Sequence, residues 1–410
     1  MRKLLIVAGI IVILVSVNVI AVAVLDQRIE QNRKALRAAG HPVTIAELPK
    51  HLDHGSAELN HILALADTAL DERLEKRLLA RADSNQLEPA ELQSLLARNT
   101  RALELLLAAS RYPRQSIYYD PDNCMAALLP TTLKRSFDFG ALLRAQARSL
   151  YLAGRADSAM DMMLADLRLA DLLPSEAALL FTLVRQGDMM RTLRQMREVA
   201  SRCSDPMLAL AAEAIAALDV DKTLLHTWEA EAAMMNDWLA RPSPAQFAAS
   251  GVNNPFHEFL LLFPLTNRIA QFENQRIRRE CLDLAGRPFY EAAGRWRDLE
   301  ELYEARKRQH SLLAAFMSPN GRLFAVRAAK LQAERAVTLA GLRVIQYQRR
   351  HGALPAGLAD AGAETTLDPF TGRTLSYQRA EKGFSLQSTG EDWNDTPENA
   401  HADIIWLVAI

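Results

Sequence analysis

Apolar and polar positions divide the chain into three regimes. The first is an unbroken apolar run, Leu4 to Leu25 (LLIVAGIIVILVSVNVIAVAVL), with no charged residue and only Ser16 and Asn18 as polar side chains. As a helix it rises about 33 Å at ~1.5 Å per residue, close to the thickness of a bilayer's hydrocarbon core. The second regime places apolar residues at three- and four-residue spacing. It covers Leu59–Ala82, Glu88–Ala109, Phe139–Leu173, Leu180–Ala200, Met207–Leu239, Phe259–Leu284, Phe289–Phe316 and Leu323–Arg350. Each stretch predicts amphipathic helix. The third begins where His351-Gly352-Ala353-Leu354-Pro355 ends the last helix. Leu375–Gln378 and Phe384–Gln387 then alternate like strands, and the apolar run Ile404–Ile410 suits a strand buried on both faces.

Punctuation refines this division. Asp26–Ala39 continues the first helix beyond the apolar run until Gly40-His41-Pro42 stops it, and Thr44-Ile45-Ala46-Glu47 has capping-box spacing for a new start. Arg111–Arg135, with three prolines, reads as a long ordered loop, and Arg241–Phe256 as a linker. Phe139–Leu173 predicts two helices turning at Gly154, and Leu180–Ala200 repeats the arrangement around Gly187. The 33-residue step between these glycines resembles the tetratricopeptide period, without that family's aromatic signature; a generic helical bundle is the alternative. The expected fold class is mainly α. It comprises a transmembrane anchor (1–25), a helical-hairpin or bundle body (26–320, linker near 241–256), and a long helix with a small antiparallel sheet (323–410).

Composition and charge narrow the partners. Forty-eight lysines and arginines balance 49 aspartates and glutamates, so there is no global basic field for nucleic acid. Arg2 and Lys3 precede the apolar run, which is longer than the core of a cleaved signal; Ala21-Val22-Ala23 nevertheless offers a cleavage-type triplet. The short N-terminus places residues 26–410 outside the cytoplasm, on a bacterial inner membrane. Arg28, Arg33, Lys34 and Arg37 weaken the charge bias and leave the opposite orientation as the alternative. Three widely spaced cysteines, Cys124, Cys203 and Cys281, cannot all pair and show no metal-ligand spacing. They read as buried apolar residues, with one disulfide as the alternative.

The last 85 residues carry the most specific motif order. The long helix leads to Gly352-x-Leu354-Pro355, then Asp368-Pro369-Phe370-x-Gly372, Leu375-x-Tyr377 and Gly383-Phe384-x-Leu386-x-Ser388-x-Gly390-x-Asp392. Ala402-Asp403-Ile404 and Trp406 follow. This order resembles the C-terminal region of the major pseudopilins of type II secretion systems. The resemblance implies a helix, an Asp-Pro-aromatic-Gly turn, a small antiparallel sheet, and a calcium loop in which Asp392 and Asp403 supply the acidic ligands. Asn394 and Asp395 add further oxygen donors, of the kind calcium takes. The chain departs from the family in three places, the first being that the apolar run sits about 300 residues before the pilin-like helix instead of continuing into it. It lacks the Gly-Phe-Thr-Leu-Ile-Glu type processing sequence, and Trp393 stands where glycine is usual. Assembly into a pilus is therefore not implied. The layout of anchor, helical body and pilin-like tail also resembles a broad set of bacterial single-pass membrane proteins.

Candidate chemistry is sparse. His51, Asp53, His54 and His61 form the densest ligand-type cluster, but no HExxH pair accompanies it, and exposed histidines near a helix start are the plainer reading. Phe137-Asp138-Phe139-Gly140 contains Asp-Phe-Gly without a kinase's glycine-rich or catalytic loop. Glu229, Glu231 and Asp237 lie beside Trp228 and Trp238, as a carboxylate pair with sugar-stacking aromatics would, though helical amphipathicity explains them equally. The leading expectation is a non-enzymatic binding or scaffold protein of the envelope, linked to secretion or pilus-like machinery. It would be held in the bilayer by residues 4–25 and would work with a protein partner. The alternative is a membrane-tethered enzyme acting on envelope material through acidic residues of the helical body.

Overall fold

The computed structural model describes residues 2–48, 57–70, 86–112, 132–172, 179–221, 223–240, 264–308, 321–363, 366–381, 383–390 and 404–409. Among them the apolar run forms helix, and the helix does not stop where the run stops. α1 spans Arg2–Ala38. It ends in a Schellman motif, with Gly40 at φ +86°, His41 N–H donating to the Leu36 carbonyl (3.0 Å) and Gly40 N–H to that of Arg37 (3.0 Å). Ile10, Val12, Ile13, Val15, Val17, Val19 and Ile20 are all exposed, whereas Ile29 and Leu36 are buried against the body. Among the described residues no helix is long and apolar enough to cross a membrane. The side chains of residues 2–9, Ile11 and Leu14 lie outside that description, so it covers only part of the Leu4–Leu25 run.

The body is a stack of helices: α2 (Ala57–Ala69), α3 (Pro89–Arg98), α4 (Thr100–Ala109), α5 (Thr132–Leu152), α6 (Ala156–Asp171), α7 (Leu179–Ala200), α8 (Asp205–Ala216), α9 (Thr223–Ala240), α10 (Pro264–Ala285) and α11 (Phe289–Arg308). Gly154 turns the α5–α6 hairpin as expected, at φ +75° with another Schellman pair of hydrogen bonds. Gly187 does not turn. It lies inside α7, because Arg185, Gln186, Asp188 and Met189 on either side are all buried and need a continuous helix to reach their partners. The stretch Glu88–Ala109, expected as one helix, breaks at buried Asn99, whose side-chain amide donates to the Leu95 carbonyl (2.9 Å). Thr44–Glu47 forms only a single 3-10 turn over Ile45–Glu47.

α12 (Gly321–His351) is the organising helix. Seventeen of its residues are buried, and the unbroken buried run Ala336–Leu342 covers every face of the helix. One continuous core joins it to α6, α7 and α8 on one side and to the C-terminal sheet on the other. The tail therefore shares its core with the body.

β1 (Ser376–Ala380), β2 (Gly383–Ser388) and β3 (Ile404–Ala409) form an antiparallel meander in the order β1-β2-β3. Tyr377, Leu386 and Trp406 are in register across it, and Phe384 sits opposite Val408. The inward side chains Phe384, Leu386, Ile404, Trp406 and Val408 are buried. The expectation of a β3 buried on both faces does not hold: Leu407, opposite Ser385, is 76% exposed. The Asp368-Pro-Phe-Thr-Gly372 turn is stapled from within. The buried Asp368 carboxylate accepts from Phe370 N–H (3.0 Å), the Ser388 hydroxyl (2.9 Å), Thr389 N–H (3.1 Å) and the Thr389 hydroxyl (3.0 Å). The Tyr377 hydroxyl donates to the Pro355 carbonyl (3.1 Å), fixing the Leu-Pro segment to β1.

Candidate functional site

α9 carries the acidic and aromatic residues that the sequence singles out, and each of its faces is occupied by another part of the chain. Glu229, Asn236 and Asp237 stand seven and eight residues apart, on one helical face. On that face lies the segment following α1. Glu229 meets His41 Nδ1 (2.9 Å), Asn236 donates to the Val43 carbonyl (3.2 Å), and Asp237 accepts from Ile45 N–H (2.8 Å). Arg37 closes the strap by donating from Nε and Nη2 to Glu47 (3.1 and 2.8 Å), which itself accepts from Val43 N–H (2.9 Å). The Arg37 guanidinium holds the Glu47 carboxyl below its ordinary range.

Glu231 points elsewhere. It accepts from Leu179 N–H at the start of α7 (3.5 Å) and lies 3.5 Å from Arg278 Nη2 on α10. Arg278 is 1% exposed. Its Nε donates to Asn274 (2.7 Å), and its guanidinium stands 6.0 Å from the Trp228 ring centroid. Desolvation pushes this guanidinium below its ordinary range, against the pull of Glu231. Trp228 is fully buried, stacked on Trp296 (centroids 6.4 Å) and edge-on to Phe324 (6.3 Å). A third face sets Thr227 against Thr182 (2.6 Å) and Thr223 against Arg185 (2.9 Å) of α7. A carboxylate pair with sugar-stacking tryptophans is thus not what these residues form. Their oxygens hold the chain's own segments, and Trp228 has no face free for a sugar.

A second buried ionic cluster explains the Asp-Phe-Gly stretch. Arg144 Nη1 of α5 donates to Asp166 of α6 (2.8 Å), Arg144 Nη2 lies 3.5 Å from Asp188 of α7, and Thr192 donates to Asp166 (2.5 Å). Arg144, Asp166, Asp188 and Thr192 are all at most 2% exposed. Gly140 is where the cluster approaches the α5 backbone: a Cβ there would stand 2.8 Å from Arg144 Nη1 and 2.9 Å from Asp166 Oδ1. The glycine serves close packing, and the buried charges link three helices.

Among the described residues an open concavity lies between the α3–α4 pair and the α5–α6 hairpin, with a volume of about 580 Å³. Leu96, Leu103, Leu107, Leu150 and Met162 supply its apolar surface. Its rim is polar, with Glu104, Gln146, Arg155 and Asp161 prominent. The Gln93 amide donates to the Ser149 hydroxyl (2.9 Å) and ties the two walls together. Sequence periodicity assigns the leucines to a core. Leu96 and Leu103 are indeed buried in one, and periodicity cannot show that the partly buried Leu107 and Leu150 border a groove.

Metal expectations find no support among the described residues, where no group of three or more His, Cys, Asp or Glu side chains is placed to hold an ion. His61 is exposed; His51, Asp53 and His54 lie outside the described residues, as do Asp392, Asn394, Asp395 and Asp403 of the expected calcium loop. Cys203 and Cys281 are buried, unpaired, and in separate clusters; Cys124 lies outside the described residues. Burial pushes both described thiols up to about 12. At pH 8 only about one in 10⁴ is then thiolate, so neither should react with iodoacetamide in the folded chain. Mass spectrometry should find both alkylated promptly once denaturant is added. No family model, curated protein or solved structure matches the chain.

Proposed function

We propose that the chain is a non-catalytic binding module, tethered by residues 4–25 to a bacterial inner membrane. Its body lies on the extracytoplasmic side and takes a partner protein in the groove between α3–α4 and α5–α6. The groove carries this reading. It pairs an apolar lining, including an adaptable methionine, with a polar rim, and its volume is that of a recognition site. An amphipathic segment of a partner fits such a surface, its apolar side on the partly buried Leu107, Leu150 and Met162 and its polar side on Glu104, Arg155 and Asp161. Glu229, Glu231 and Asp237, the carboxylates singled out for the enzymatic alternative, are engaged with His41, Arg278, Leu179 and Ile45. The pilin-like motif order of the tail agrees with a helix packed on a three-stranded meander, and a link to secretion or pilus-like machinery rests on that motif order alone.

Two measurements test the reading. The full chain should stay with membranes through alkaline extraction, and a version lacking residues 4–25 should be released; an intact mass shows whether the Ala21-Val22-Ala23 triplet is cut. A photo-crosslinker at Glu104 should give one discrete adduct in native membranes, and one at exposed Glu213 should not. Exposed rim reversals Glu104→Arg and Asp161→Arg, which should leave thermal stability within about 0.5 kcal/mol, should abolish an adduct formed through a probe at Ala97. Equal labelling from positions 104 and 213, or none from either, would remove the groove from the proposal.

A further inference from the structure

We infer that the body stands directly on the bilayer surface with the first turn of α10 in the lipid headgroup layer, where Arg28 and Arg268 face phospholipid phosphates. This rests on the anchor reading above and adds an orientation to it. The observation is continuity. α1 passes from the apolar run into the docked region with no break between Leu25 and Asp26, so position along α1 measures height above the hydrocarbon.

α10 runs parallel to it. Asp26 Oδ1 is 2.5 Å from Arg268 Nε, and the Arg28 guanidinium lies 6.0 Å from the Phe272 ring centroid. Further on, Leu36 joins the buried cluster that holds Cys281 and Leu282. As numbers rise on one helix they rise on the other. Arg268 is therefore level with the first charged residue after the apolar run. Pro264, four residues earlier, lies about 6 Å nearer the bilayer.

The residues at that level suit an interface. Leu265, Ile269 and Phe272 are each only partly buried, and Arg268 keeps about a third of its side chain exposed beside Asp26. Arg28 is exposed and one turn above Leu25. Leu265 lies about 4.5 Å below Arg268, at acyl-boundary depth, while Arg268, Ile269, Arg28 and Phe272 stand at headgroup depth, a mix of arginine and aromatic side chains that this layer accepts. The partner is a lipid surface, met by the end of a packed helix that α1 fixes at a set height.

The test uses the full chain in nanodiscs of phosphatidylcholine and phosphatidylglycerol, with Cys124→Ser and a single bimane label introduced at Val24→Cys, Leu265→Cys or Arg287→Cys. Doxyl lipid should quench the labels at 24 and 265 at least twofold more than the label at 287, which lies just past the far end of α10, itself about 30 Å beyond Leu265. Quenching at 24 without quenching at 265 would overturn the inference and leave the anchor standing. Equal quenching at all three positions would also overturn it, because the body would then lie along the membrane. No quenching at 24 would overturn the anchor reading and the inference together.

Discussion

Gly341→Ala should destabilise the protein by about 3 kcal/mol, the cost of overpacking a filled core, although alanine is the better helix former. The two effects have opposite signs. In a helix interior, glycine to alanine should gain about 1 kcal/mol. At position 341 the new methyl would stand 1.9 Å from Trp406 Cζ3 and 2.2 Å from Cε3, distances no pair of carbons can hold. The indole is 6% exposed, packed between α12 and Phe384 (centroids 6.2 Å), so it has no empty space to move into. Either β3 shifts away from α12 or Trp406 leaves its rotamer. Both outcomes uncover apolar area, which is worth ~25 cal/mol per Å².

Gly294 in α11 is the internal control. Nothing lies within 4 Å of its would-be Cβ, so Gly294→Ala should raise stability by up to about 1 kcal/mol. Denaturant midpoints for the two variants should move in opposite directions. Trp406→Leu in the Gly341→Ala background should recover part of the loss, since the smaller side chain removes the clash and the new methyl fills part of the space it leaves. A Gly341→Ala variant as stable as Gly294→Ala would mean that the sheet does not rest on α12 as described.

What the sequence reveals of this fold follows from which forces act locally. The start and end of α12, the Gly154 turn, the Asp368–Gly372 turn and the three strands are legible, because each depends on periodicity or on turn chemistry within a few residues. Gly187 misleads because a glycine marks a turn only when its surroundings allow one, and the side chains flanking it are buried in a helix. The closing IIWLVA run looks buried on both faces, but composition cannot say whether the outer face will be covered; Leu407 is not. The faces of α9 depend on partners far along the chain, His41 with Glu229 at a separation of 188 residues and Ile45 with Asp237 at 192. Asp166 could have been suspected, since it falls in the buried stripe of Met163, Leu164 and Leu167, but its partner Arg144 lies on another helix. The groove is the least legible feature, because its lining comes from four helices, residues 93–107 on one side and 146–162 on the other.

Glu334→Ala should cost about 3–5 kcal/mol, the usual loss when one member of a buried ion pair is removed. Glu334 lies on α12, 1% exposed, and takes Arg194 Nε and Arg197 Nη2 of α7 at 2.6 Å each. The two arginines are not equivalent. Arg194 is 56% exposed and can turn to water, so Arg194→Ala should cost under about 1 kcal/mol, as exposed pairs do. Arg197 keeps only 9% of its side chain exposed, and desolvation already pushes its guanidinium down against the attraction of Glu334. Without the carboxylate, that charge stays buried with only the weaker attraction of Glu198 to offset it. Glu334→Gln retains the shape and one acceptor oxygen and should fall between wild type and alanine. Glu334→Leu with Arg197→Met removes both charges and should regain most of the loss.

The form of the transition is as informative as its midpoint. Because α12 belongs to one core with α6, α7, α8 and the sheet, removing the bridge should lower the midpoint of a single cooperative transition without changing its slope. Two separated transitions, with the sheet's signal melting apart from the helical one, would show that the tail folds on its own and that the bridge only joins two neighbours.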